Sequence, residues 1–202
     1  MRRLLGVAVL LFIAVAAYWS WALVDAAQLA AAASRGDAAA VMSRVDLIAF
    51  RHSLGKQIAR AYLQQNPQFQ KMGSLERGFV GSVGGGVADA LLREVLTPEN
   101  ITALLDKGRV ANAKADAEPS AETLWRMPPL GGAFRTGPLQ ALSHSRFDGP
   151  LSFVVELQGA DGSFGVHLHL SATTWLLSGL DVPEAVSARL AREIAGRQRA
   201  TG

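Results

Sequence analysis

From Leu4 to Val24 the chain runs 21 residues without a charge, directly behind Arg2 and Arg3. A helix of that length spans about 31 Å, enough for the ~30 Å hydrocarbon layer of a membrane. Eleven of its residues are Leu, Ile, Val or Phe. At about −0.3 to −0.6 kcal/mol each they favour insertion by roughly 3 to 7 kcal/mol. Tyr18, Trp19 and Trp21 gather at the far end, where amphipathic aromatic rings favour the interface. With the arginines cytoplasmic, this predicts a single-pass inner-membrane protein with a periplasmic body. The same stretch also reads as a cleaved signal peptide. Arg2-Arg3 is then the basic region, Leu4 to Ala14 the apolar region, and Val15 and Ala17 the small pair before a cut at Tyr18. In that reading the body is secreted to the periplasm.

Beyond the apolar run the hydrophobic period is helical. Ala26 to Ser34 extends the first helix and Gly36 ends it. Asp37 caps a short helix over Ala38 to Ser43, and Asp46 caps the next. That helix carries Leu47, Phe50, Leu54, Ile58 and Ala61 as one stripe and stops at Asn66-Pro67. Gln68 to Gly78 reads as a loop. Phe79 to Leu96 places Val83, Val87, Leu91 and Val95 on one side, with glycines at 78, 81, 84, 85 and 86. Thr97-Pro98-Glu99 supplies an N-cap, a first-turn proline and an acidic first turn, and Lys107-Gly108 a basic last turn and a glycine stop. Arg109 to Pro129 reads as a polar connector with one helical turn near Glu122.

After Leu139 the period changes to two. Gln140 to Phe147 is the first predicted strand, and Asp148-Gly149-Pro150 a turn. Leu151 to Leu157 is the second strand, followed by a turn over Gly159 to Gly162. Ser163 to Ser171 is the third, with Phe164, Val166, Leu168 and Leu170 on one face and Gly165, His167, His169 and Ser171 on the other. Thr173 to Leu180 is the fourth and holds Trp175. Short turns between successive strands specify an antiparallel meander. Pro183 to Gln198 is a last helix with Val186, Leu190 and Ile194 on one side. The fold class is therefore α+β: an N-terminal transmembrane helix, a helical half, a four-stranded antiparallel meander and a C-terminal helix. The division is 1–24 anchor or signal peptide, 25–183 extracytoplasmic domain, and 184–202 basic amphipathic helix and tail.

Composition narrows the function. Half of the 202 residues are apolar, which excludes disorder for the bulk of the chain. The absence of Cys excludes disulfide scaffolds, thiolate zinc sites and Cys nucleophiles. The chain has 20 Lys and Arg against 17 Asp and Glu. With Arg2 and Arg3 set aside, the body is close to neutral, so nucleic-acid binding has no electrostatic support.

Several segments carry a family resemblance. They are Tyr18-Trp19-Ser20-Trp21, Ala30 to Gly36-Asp37-Ala38, Arg44-Val45-Asp46 and Phe50-Arg51-His52-Ser53-Leu54. Leu96-Thr97-Pro98-Glu99 and Thr174-Trp175-Leu176-Leu177 with Leu180 and Val182-Pro183 follow later. In order and spacing the chain resembles the bacterial family called domain of unknown function 2939, over most of residues 18 to 183. The resemblance implies a short export or anchor segment and a small α+β domain, with no known activity and no functional residues to carry over. The chain departs from the family pattern at His167, His169 and Leu176, where basic residues are usual, and in the helix after Pro183. The order of elements also resembles, by analogy alone, the cone-shaped domains related to nuclear transport factor 2.

Candidate chemistry is sparse. His167 and His169 share a strand face, the spacing of two metal ligands, with His144 or Glu156 as a third. No acidic residue is adjacent to the pair, and a polar, solvent-facing sheet surface is the plainer reading. Gly81 and Gly85 fail the phosphate-loop pattern, because Gly86-Val87 follow where Lys and Ser or Thr are needed. Those glycines read as close helix packing. His52 lies beside the Phe50/Leu54 stripe as a boundary residue, and no Ser nucleophile has its glycine frame. Arg189, Arg192, Arg197 and Arg199 give the last helix a basic side suited to an anionic membrane surface or to water. The sequence thus assigns no catalytic residue, no ligand-binding residue, no metal and no cofactor.

The function expected is binding or interaction in the bacterial envelope by a membrane-tethered domain, without enzymatic activity. Its partners are the membrane, through one span, and a lipid or an envelope protein. A carrier or sensor of a small amphipathic ligand, held between helices and sheet with Arg51 or Arg77 at the rim, is the first alternative. A hydrolase is the second.

Overall fold

The first helix, α1, runs unbroken from Arg2 to Ser34 in a computed structural model that describes residues 2–65, 92–93, 95–109, 126–135 and 137–189. Its two halves have different surroundings. Residues 5–17 are exposed throughout, whereas Ala22, Ala26, Leu29, Ala30, Ala32 and Ala33 are buried in the body. The small alanines let neighbouring elements approach the helix axis closely. Packing against the body begins at Tyr18 and Trp19, both half-buried, ahead of the boundary drawn at Val24. The helix ends as expected at Gly36, whose φ of 68° is left-handed, with the Gly36 amide bonded to the Ala33 carbonyl at 2.9 Å.

Asp37 caps α2 (Ala38–Met42) through the Ala40 amide at 2.9 Å. Asp46 caps α3 (Leu47–Gln65) through the Ala49 amide at 3.0 Å. The predicted stripe of α3 faces inward, with Phe50, Leu54, Ile58 and Ala61 buried. Of the predicted helix Phe79–Leu96, residues 92, 93 and 95 are helical, and Leu92 and Leu96 are buried. Its glycine-rich part, the preceding loop and the connector up to residue 125 lie outside the described residues. The helix α4 (Pro98–Lys107) has the predicted ends: Thr97 accepts from the Asn100 amide at 3.2 Å, and Gly108 has a φ of 66°. Ile101, Leu104 and Leu105 are its buried side, and it packs on α1 and α2.

The first predicted strand is corrected. Gln140 to Ser143 belongs to a helix, and two short helices, α5 (Gly132–Arg135) and α6 (Pro138–Ser143), precede the sheet. Pro138 in the first turn behind Gly137 is a helix-start signal that outweighs the alternating pattern after it. The sheet is an antiparallel meander in the order β1 (Ser145–Gly149), β2 (Ser152–Gly159), β3 (Gly162–Ser171), β4 (Thr174–Asp181). Asp148 and Gly149 therefore end a strand, and the turn is Pro150-Leu151.

Cross-strand pairs on the inner face are Phe147 with Phe153, Phe153 with Leu168, Val155 with Val166, and Leu157 with Phe164. Between β3 and β4 the register shifts after the pairing of Leu168 with Leu177, so that His167 faces Gly179 and Val166 faces Leu180. This bulge lets Leu177 and Leu180 both enter the core, which strict alternation forbids. α1, α3 and α4 supply the helical side of one continuous core with this face. α1 is thus part of the cover of the sheet, although its alanines do not stand out as an amphipathic stripe.

The free edge of β4 is covered. Residues 44–46 pair with it in parallel through Val45 and Leu177, with bonds from Leu177 N to Arg44 O and from Asp46 N to Leu177 O at 2.9 and 2.8 Å. Farther along, the Gln57 side chain on α3 donates to Leu180 O at 2.6 Å and accepts from Val182 N at 3.0 Å. A side-chain amide thus stands in for a neighbouring strand, and the edge has no open template for aggregation there. Residues 184–189 are helical after Pro183 and bury Val186; the predicted remainder to Gln198, with Arg192, Arg197 and Arg199, lies outside the described residues.

Candidate functional site

The densest chemistry lies where α1 meets the sheet. Tyr18 stacks on Phe147 with ring centroids 5.3 Å apart, and Trp19 meets Phe147 edge-on at 5.0 Å. Phe147 continues to Phe153 at 5.0 Å, and Phe153 to Trp175 at 6.1 Å. Two of the aromatics assigned to the membrane interface, Tyr18 and Trp19, therefore turn toward the body, while Trp21 stays 36% exposed. The Tyr18 hydroxyl donates to the carbonyl of Pro150, tying the helix to the β1–β2 turn. Ala14, Val15, Tyr18, Trp19, Phe147, Gly149 and Pro150 line an open apolar groove of about 530 Å³ at this junction.

Beneath the aromatics lies a polar clamp. Asp25 is buried, accepts the Trp175 amide at 3.0 Å, and forms an ion pair with Arg44 at 3.2 Å. Arg44 also donates to Gln28. The carboxylate is thus satisfied on both oxygens, which burial requires. The Trp175 ring is wholly buried, and its Nε1 has no hydrogen-bond partner among the described residues. The sequence pattern placed Trp175 in the fourth strand but did not single out Asp25. A lone acid ending an apolar run carries no sign that its partner is a backbone amide 150 residues away.

The histidine face is more covered than expected. The His167 and His169 side chains are 23% and 34% exposed. His167 Nε2 lies 2.6 Å from Asp181, a partner the sequence reading missed, and His169 lies 3.9 Å from Asp46. Neither of the suggested third ligands joins them. Glu156 pairs with Arg146, which also holds Asp148 at 2.9 Å. His144 is exposed at the end of α6. Among the described residues no three His, Asp or Glu side chains come together to hold a metal ion. No hydroxyl is bonded to the His167 ring among those residues, so His167 and Asp181 form a dyad without a nucleophile.

For a ligand held between helices and sheet, the rim residue Arg77 lies outside the described residues, as do the glycines at 78 to 86. In the described core that layer is filled by Phe50, Phe153, Phe164 and Trp175, each at most 1% exposed. Arg51 turns back on its own helix, donating to Leu47 O at 3.2 Å. Among the described residues, an open apolar groove lies beside the exposed half of α1.

No curated protein and no solved structure matches the chain. A family model does, over the later part of the apolar run, the rest of α1, α2, α3 and most of α4. The resemblance read from the sequence is thereby matched: residues 11–104, somewhat under half of the chain, are similar to the family described as Protein of unknown function (DUF2939).

Proposed function

We propose that the protein is a membrane-tethered domain of the bacterial envelope that works by binding on the periplasmic side, without enzymatic activity. One observation carries this reading. α1 is an apolar, exposed helix in its first half and a core element in its second, with no linker between them. A helix exposing Leu10, Leu11 and Phe12 at 68%, 65% and 74% needs an apolar surrounding that the described residues of the body do not supply. Its charge-free length meets that of a bilayer core. The rigid junction fixes the body's height and tilt relative to the membrane, a property suited to presenting a surface rather than to releasing a product.

A reporter enzyme active only outside the cytoplasm, fused after Gly202, tests the orientation. Activity together with retention in carbonate-washed membranes supports the tether. Recovery of a soluble protein beginning at Tyr18 gives the secreted reading instead.

A further inference from the structure

Resting on the tether reading, the geometry also fixes which part of the body meets lipid. Among the described residues of α1, 5–17 form the continuous exposed run clear of the described body. At 1.5 Å per residue those 13 residues span about 20 Å, some 10 Å less than the ~30 Å hydrocarbon core. The span therefore needs the next two turns, Tyr18 to Val24, and whatever packs on them shares their depth.

What packs there is the β1–β2 turn. Tyr18 holds Pro150 by its hydroxyl, and Phe147 lies against both Tyr18 and Trp19. The turn is apolar where it faces outward: Pro150 is exposed and Leu151 is 57% exposed. The nearby Asp148 is paired with Arg146 and brings no isolated charge. On the other side of the same helix segment Trp21 and Val24 are 36% and 51% exposed, so an apolar outer surface continues around this level. The groove between helix and turn starts at Ala14 and Val15, within the lipid-facing half of the helix.

We propose that the β1–β2 turn lies in the outer interface of the bilayer and that a lipid acyl chain fills the groove between it and α1. The body then sits flush on the membrane, held by a second apolar contact besides the span. Its β2–β3 turn, at the opposite end of the sheet, points into the periplasm.

The natural absence of Cys makes the test direct. Leu151→Cys and Ala160→Cys, the latter in the β2–β3 turn, each carry one polarity-sensitive dye on the full-length protein. Both positions are exposed, so the label disturbs no packing. The protein is reconstituted into phosphatidylethanolamine–phosphatidylglycerol vesicles containing a nitroxide-labelled phosphatidylcholine. The dye at 151 is expected to be quenched several-fold more than the dye at 160, with blue-shifted emission. Equal, weak quenching at both sites in protein that floats with the vesicles overturns the inference and leaves the tether intact. Protein that fails to float with the vesicles overturns the tether, and this inference with it.

Discussion

Asp25 and Trp175 are separated by 150 residues, yet the carboxylate of one accepts the backbone amide of the other at 3.0 Å. The same carboxylate is the counter-ion of Arg44, whose own carbonyl accepts from Leu177 on β4. One acid thus joins the long N-terminal helix to the last strand of the sheet.

Asp25→Ala removes one partner from a nearly buried pair and orphans an amide in the core. Such losses cost about 2 to 4 kcal/mol, because the groups left behind keep their desolvation penalty. Asp25→Asn retains an acceptor and is expected to cost less than half as much. Denaturant unfolding of the detergent-solubilised chain, followed by tryptophan fluorescence, measures both. Equal losses for the two variants would show that the charge, and not the bond to Trp175, holds the junction.

Gln57 makes a different claim on the same strand. Its amide donates to Leu180 O and accepts from Val182 N, a pairing that only a side chain with both functions can make. Gln57→Glu keeps the acceptor and places a negative oxygen against a carbonyl; Gln57→Ala loses both bonds. Each is expected to cost about 1 to 2 kcal/mol. Amide hydrogen exchange at Val182 distinguishes them, being faster in the alanine variant and near normal in the glutamate one.

Gly108 is the least replaceable glycine described. Its φ is 66°, and a Cβ there would lie 1.6 Å from the Met127 carbonyl oxygen. The close approach is part of the fold: Met127 N donates to Gly108 O, and Leu130 N to Leu105 O, both at 2.9 Å. Gly108→Ala must push this segment off the end of α4, with a cost of roughly 3 kcal/mol or more once left-handed strain and overpacking combine. Wild-type unfolding in this variant would mean that residues 126–130 are held from elsewhere.

The histidine pair separates into unequal members. His167 has a close acidic partner at 2.6 Å, whereas 3.9 Å from His169 to Asp46 is too long for a hydrogen bond. His167→Ala is expected to cost about 0.5 to 1 kcal/mol, since Asp181 is well exposed, and His169→Ala less than about 0.5. Melting should be insensitive to chelator in both. Stoichiometric zinc lost on replacing either one would contradict this.

Local chemistry made much of this fold legible. Asp37, Asp46, Thr97, Gly36 and Gly108 mark helix ends because caps and left-handed glycines act within a few residues of themselves. Strands β2 to β4 followed, within a residue or two of their ends, from alternation and the turn over Gly159 to Gly162. What escaped depends on partners distant in sequence. The groove forms only when Tyr18 meets Phe147 and Pro150, and the clamp only when Asp25 meets Trp175 and Arg44. The bulge at Ser178-Gly179 opposite His167 breaks alternation, and Gly179 alone is too weak a local sign to announce it. The polyalanine face of α1 is the instructive case. Its side chains are too small to register as an apolar stripe, yet their smallness is why α4 and the sheet can close upon it.

The last prediction separates the two roles of α1. Residues 5–17 are exposed and make no part of the core, while Tyr18, Ala22, Asp25, Ala26 and Leu29 do. A chain beginning at Tyr18 therefore retains the aromatic cluster, the clamp and the alanine face. It should fold in water and melt within about 3 °C of the full chain in detergent, a difference of less than ~1 kcal/mol for a domain of this size. A chain beginning at Ala27 loses the stacking on Phe147, the acceptor for Trp175 and two buried alanines together. It should fail to show a cooperative transition, because the cover of Trp175 and Phe153 goes with them. Circular dichroism melts of the two truncations decide the matter. If the shorter chain melts like the longer one, the second half of α1 is an appendage, and the rigid coupling of body to membrane is lost as an idea. If the chain from Tyr18 does not fold, the apolar first half does more than reach into lipid, and residues 5–17 must have a protein surface to cover.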